Sequence, residues 1–151
     1  MTKPSLFAIA LEFFNSLDWN YEIAGGGTAL SLSFEGENGE WQCYADIKDD
    51  EEQFVFYSVC PETTPHEQRS AMAEFLTRAN YGIIIGNFEM DFEDGQVSYK
   101  TSIDVEGARL TVALVQRLVE SNLDMMDLFL PGIRTINQGK MTPAEVLAKI
   151  G

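Results

Sequence analysis

His66 is the only histidine of this chain, and Cys43 and Cys60 are its only cysteines. An imidazole works as a general acid or base when a nucleophile or carboxylate stands beside it, and no spacing around His66 supplies that partner. In the first turn of a helix it reads as a solvent-facing residue. One histidine and two isolated cysteines make no ordinary zinc or iron ligand set. Asp46, Asp49, Asp50, Glu51 and Glu52 carry the oxygens that calcium prefers. The alternating carboxylates, glycine and distal glutamate of an EF-hand are absent, so the cluster reads as a solvated hairpin turn whose charges discourage edge pairing. Gly25-Gly26-Gly27 would cradle a phosphate only between a strand and a helix N-terminus, and another strand follows it. It reads as a turn or bulge. No catalytic residue, metal or cofactor is expected, and the chain reads as a non-enzyme.

The remaining candidates are apolar. Met125, Met126, Leu128, Phe129 and Leu130, with Ile133 and Ile136, form the densest apolar run of the second half. Leu110, Leu114 and Leu118 on one side, with Val112, Val115 and Val119 on another, already fill two adjacent helix faces. Met125, Met126 and Phe129 are therefore either a deeply buried helix end or a surface for self-association or a partner, since large apolar patches mark interfaces.

These residues need a scaffold, and 151 residues with 45% hydrophobic content suit one compact domain, residues 1–151. A net charge of −14 repels phosphate backbones and anionic membranes, so no nucleic-acid or membrane partner is expected. No segment has the apolar length of a bilayer span, and Thr2-Lys3-Pro4 precedes an amphipathic run unlike a signal peptide. A cytoplasmic location is expected. Cys43 and Cys60 fall out of register across their hairpin and are expected to be free, core-type thiols.

Apolar steps of three and four predict a helix from Ser5 to Leu17. Trp19 to Ile23 is a short extended piece. Alternation predicts strands at Thr28–Phe34 and Trp41–Ile47, with Asn38-Gly39 turning between them, and a more apolar, central strand at Phe54–Val59. Thr64-Pro65-His66-Glu67 predicts a capping box opening a second helix that ends at Asn80-Tyr81-Gly82. Ile83 to Asp104 predicts a hairpin about a type I′ turn at Asp94-Gly95, pairing Phe92 with Val97, Met90 with Tyr99 and Phe88 with Thr101. Glu89 then faces Lys100 on the wet side. A third helix runs from about Leu110 to Phe129 and is broken by Pro131-Gly132. A tail, 131–151, carries a short helix capped by Thr142-Pro143-Ala144-Glu145. The expected class is α+β: helix, three-stranded antiparallel meander, helix, β-hairpin, helix, and a short C-terminal helix.

Asn80-Tyr81-Gly82, Gly86-Asn87-Phe88-Glu89-Met90-Asp91, Asp94-Gly95 and Tyr99-Lys100 resemble the central segment of the YbjN family of bacterial proteins, labelled as sensory transduction regulators. The resemblance covers about Phe75 to Asp104. It implies a fold similar to that of type III secretion chaperones, commonly homodimeric, and supplies no catalytic residues. With the residues, it makes the expected function that of a non-catalytic protein-binding domain, chaperone-like or a regulatory adaptor, with a protein or peptide partner. The alternative is a small-ligand-binding protein or enzyme with a pocket between the sheet and the third helix.

Overall fold

The computed structural model describes residues 3–150. Helix α1 spans Leu6–Ser16, buries Leu6, Ala10, Phe13 and Phe14, and is capped by Ser5, whose hydroxyl accepts the Ala8 amide (3.1 Å). The Asp49 carboxylate accepts the Leu6 amide (2.7 Å), and Glu52 holds Lys3. The acidic turn thus fastens the first helix, supplying acceptors for amides that a helix start leaves unpaired. Among the described residues no group of three or more His, Cys, Asp or Glu is placed to hold a metal ion.

Four strands follow: β1 (Glu22–Ala24), β2 (Ala29–Glu35), β3 (Glu40–Lys48) and β4 (Gln53–Val59). The meander gains one strand over expectation, because the glycine triplet, at φ +59°, +69° and +93°, folds the extended piece back onto β2. After a 3-10 turn at His66–Gln68 come α2 (Arg69–Tyr81), β5 (Asn87–Met90) and β6 (Val97–Asp104). Strand β6 docks on β4, so one six-stranded antiparallel sheet has the order β1-β2-β3-β4-β6-β5, and β4 is internal as expected. Helix α3 (Val112–Gln138) and α4 (Pro143–Ala148) complete an α+β fold. Leu30, Leu32, Trp41, Cys43, Ile47, Phe54, Phe56 and Tyr99 form the helix-covered face of the sheet. The other face carries Gln42, Tyr44, Ser98 and Lys100 in the alternation the sequence announces.

Three expectations are corrected. The β5–β6 hairpin is not a two-residue turn: Met90 pairs with Val97 and Phe88 with Tyr99, two residues displaced from the expected register. Asp91 and Asp94 side chains accept the Glu93 and Gln96 amides, and Gly95 at φ +78° donates to the Asp91 carbonyl (2.7 Å). Arg69 completes a wider loop by donating to the Phe92 and Glu93 carbonyls (2.9 and 3.2 Å). A shift of two preserves the faces, so Phe88, Val97 and Tyr99 stay buried, while Phe92 is expelled into solvent. Glu89 now lies opposite Ser98 and reaches Lys100 diagonally at 3.1 Å.

The Thr64 capping box does not form. The Thr64 backbone is committed to the Gly95 carbonyl and the Arg69 guanidinium, and its hydroxyl is buried without a partner. The Thr142–Glu145 box forms in full: the Thr142 hydroxyl accepts the Glu145 amide (3.2 Å), and the Thr142 amide donates to the Glu145 carboxylate (2.9 Å), holding that carboxyl below its ordinary value.

Pro131-Gly132 does not break the third helix. Proline lacks the N–H that would bond to the carbonyl four residues earlier, at Asp127. That carbonyl instead accepts the Asn38 side-chain amide at 2.9 Å. Gly132 lets α3 press on its neighbours, since a Cβ there would stand 2.9 Å from Ile150 Cδ1 and 3.1 Å from Phe75 Cζ. The helix therefore continues to Gly139, which ends it in the left-handed conformation at φ +71°.

Candidate functional site

The Gly36 amide donates to the Gly39 carbonyl across the β2–β3 turn, and the Ile47 amide to Thr28 at the far end, both at 2.8 Å. Backbone direction alternates along a strand, so even-numbered residues of β2 face β3, and Ala29, Ser31, Ser33 and Glu35 face outward. Strand β1 covers only Ala29 to Ser31. Residues 18–21 then leave the edge, because Trp19 joins the aromatic group beneath α1. Its ring centroid is 5.8 Å from Phe34, 5.9 Å from Phe14 and 6.5 Å from Phe13. Ser33 and Glu35 are left exposed, their outward amides and carbonyls unpaired among the described residues, in a cleft of about 890 Å³ walled by Trp19, Tyr21 and Phe34.

That edge is held rigidly at its tip. The Asp127 carboxylate of α3 accepts the Asn38 and Glu37 amides (2.8 and 3.2 Å), and Asn38 returns its side chain to the Asp127 carbonyl. Arg134 donates to the Asn38 carbonyl (3.1 Å) and pairs with Glu62 (3.0 Å). The opposite edge of the sheet is closed at Phe88. Asn80, in the last turn of α2, accepts the Phe88 amide (2.8 Å) and donates to the Phe88 carbonyl (3.0 Å). Its side-chain amide thereby takes the place of a neighbouring strand at this one residue of β5.

The expected partner residues lie elsewhere. Met126 is fully buried, and Phe129 is packed 5.1 Å from Phe88 and 6.1 Å from Phe75 between ring centroids, so the chain's own core uses both. Met125 is partly buried, and Leu128 is the exposed side chain of that stretch. The two-sided apolar helix is accounted for by the sheet on one side and by α1, α2 and α4 on the others. Between sheet and α3, Phe56, Tyr99, Val119 and Met126 fill the interior. Asn122, also wholly buried, donates to the Phe56 and Tyr99 carbonyls (2.9 and 3.1 Å) and pins the helix there. This is a packed layer where the ligand-pocket alternative expected a cavity.

His66 is exposed, with the Arg69 guanidinium 3.5 Å from Nδ1. Both cysteines are free and buried, and Cys43 lies opposite Ser58, out of register with Cys60. Burial pushes the Cys43 thiol up to about 12 and the Cys60 thiol to about 11, which keeps both protonated and unreactive near neutrality. The open edge escaped the sequence reading, although its signal, Ser31, Ser33 and Glu35 alternating with Leu30, Leu32 and Phe34, was visible. What the alternation cannot state is how far along β2 a neighbouring strand reaches.

Solved structures share this architecture. YbjN from E. coli matches with a TM-score of 0.63 and 14% identity, over 84% of this chain and 89% of that one. The ExsC–ExsE complex gives 0.53 and 12%, over 83% and 91%. The Yersinia pestis type III secretion chaperone SycH, in complex with a fragment of YscM2, gives 0.52 and 12%, over 78% and 93%. At such identities the likeness is one of fold. No curated protein sequence matches the chain. Residues 11–135 match the YbjN family model, described as "Putative bacterial sensory transduction regulator", and the chain belongs to that family.

Proposed function

We propose that this protein is a non-catalytic adaptor that takes an extended segment of a partner chain onto the open edge of β2. The observation that carries this function is a contrast between two outward-facing stretches: Asn80 takes the Phe88 backbone on β5, whereas Ser33 and Glu35 of β2, beyond the reach of β1, present backbone groups that have no partner among the described residues, in a cleft. Added strands bind through main-chain hydrogen bonds and are selected by pockets for alternate side chains. Similarity to the ExsC–ExsE and SycH–YscM2 complexes, both containing a protein partner, supports the same direction. Photo-crosslinking from position 33 in native lysate tests it, with position 74 on exposed α2 as the control. Capture from 33 and not from 74 is expected; equal capture, or none, contradicts it.

The adaptor works in the cytoplasm as a homodimer. Tyr81 and Ile84 are 96% and 93% exposed, with Ile85 half-exposed beside them, an apolar projection between α2 and β5 suited to self-association. Light scattering should report twice the 16.9 kDa chain mass. The variant Ile84→Asp should report that mass once, and a wild-type monomer would refute the dimer.

A further inference from the structure

The cleft along β2 carries an uncompensated negative charge. Asp18 and Glu22 stand on one wall and Glu35 on the other, and Glu35 is paired directly across the hairpin with Glu40. Like charges directly opposite each other in a sheet repel. Among the described residues none of these four carboxylates has a lysine or arginine partner; the ion pairs involve Glu52, Asp46, Glu74, Glu89 and Glu62. Among the described residues no basic side chain lines the cleft. Trp19 and Tyr21 add aromatic faces of the kind that attract cations.

We propose that the β2 cleft selects a basic extended segment: a strand of a partner protein bearing lysine or arginine at alternate positions. Its backbone bonds to Ser33 and Glu35, and its cationic side chains lie among Asp18, Glu22, Glu35 and Glu40. The proposal rests on the adaptor function above and adds the chemistry of the partner. Charge complementarity selects this occupant over a second copy of the chain, whose net charge of −14 would bring further carboxylates to an acidic cleft. At physiological salt the screening length is about 8 Å, so the carboxylates lining the cleft act on a cation bound against them and little on distant charge.

The probes are short peptides alternating lysine with valine, threonine with valine, and glutamate with valine. A fourth is the lysine peptide N-methylated at alternate residues to remove strand hydrogen bonds. Binding is followed by tryptophan emission, in which Trp19 of the cleft responds against the constant background of buried Trp41, and by protection of the Ser33 and Glu35 amides from hydrogen exchange. The lysine peptide is expected to bind about tenfold or more tightly than the threonine peptide, to weaken with salt, and to lose binding on N-methylation. The exposed double variant Glu22→Lys, Glu35→Lys should invert the order of the lysine and glutamate peptides while keeping the native circular dichroism. Equal protection by the threonine and lysine peptides would overturn the charge selectivity and leave strand addition standing. Undiminished binding of the N-methylated peptide would overturn strand addition itself, and no binding by any peptide would overturn the basic-segment proposal.

Discussion

Replacing Asn80 with Ala tests whether one side chain closes the β5 edge. The substitution deletes two hydrogen bonds, of 2.8 and 3.0 Å, from a partly buried amide to the Phe88 backbone. Each such bond contributes about 0.5–1.5 kcal/mol net, and backbone groups left poorly solvated raise the loss, so about 1–3 kcal/mol of stability should disappear. With a urea m-value of about 2 kcal/mol/M, the unfolding midpoint should fall by about 1 M while m stays constant. The opened edge should then show itself as concentration-dependent association in light scattering, beyond any wild-type assembly, because an unpaired strand edge templates pairing. Equilibrium denaturation and scattering on the same sample separate the two effects. A variant with wild-type midpoint and wild-type mass would show that Asn80 does not guard this edge. The distinction between a closed β5 and an open β2 would then lose its basis.

Other substitutions address the core and the thiols. Met126→Asp buries an unpaired carboxylate at a site with no exposed surface and should abolish the cooperative unfolding transition; a folded variant would put Met126 on a surface after all. Phe88→Ala should cost about 3–5 kcal/mol in chemical denaturation, against at most about 1 kcal/mol for Lys100→Ala, and the reverse order would invert the sheet faces. Cys43 and Cys60 should resist thiol reagents at pH 8 until the protein is denatured. Because burial raises their folded values to about 12 and 11, their stabilising contribution is complete below the ordinary thiol value and declines as pH rises towards the folded ones. Rapid labelling of the native protein would contradict the burial.

Much of this fold could be read from local pattern because local pattern decides it. Serine before an apolar stripe made α1, alternation made β2, β3 and β6, and a more continuous apolar run made the internal β4. Distant residues decided the rest. Pro131 reads as a helix stop until Asn38, far away in sequence, takes the carbonyl that the proline leaves free. Asp94-Gly95 reads as a tight turn until Arg69 and Thr64 hold a wider loop. The same limit applies to the site. Met125, Met126 and Phe129 looked surplus to one core, yet α2 and α4 bring a second layer of packing around α3 that no periodicity within the helix reveals. The open half of β2 became a candidate only once the register showed β1 covering Ala29 to Ser31 alone, with Trp19 drawing the preceding chain away from the rest.

The central claim is that Ser33 and Glu35 are open backbone positions that a partner strand fills. Residue-resolved amide hydrogen exchange tests this most directly. In the free protein both amides should exchange rapidly, while the Gly36 amide, bonded to Gly39, is slowed, and a bound strand should slow Ser33 and Glu35 selectively. Protection of Ser33 and Glu35 in the free protein, or binding that protects other amides and leaves these two unchanged, would contradict it.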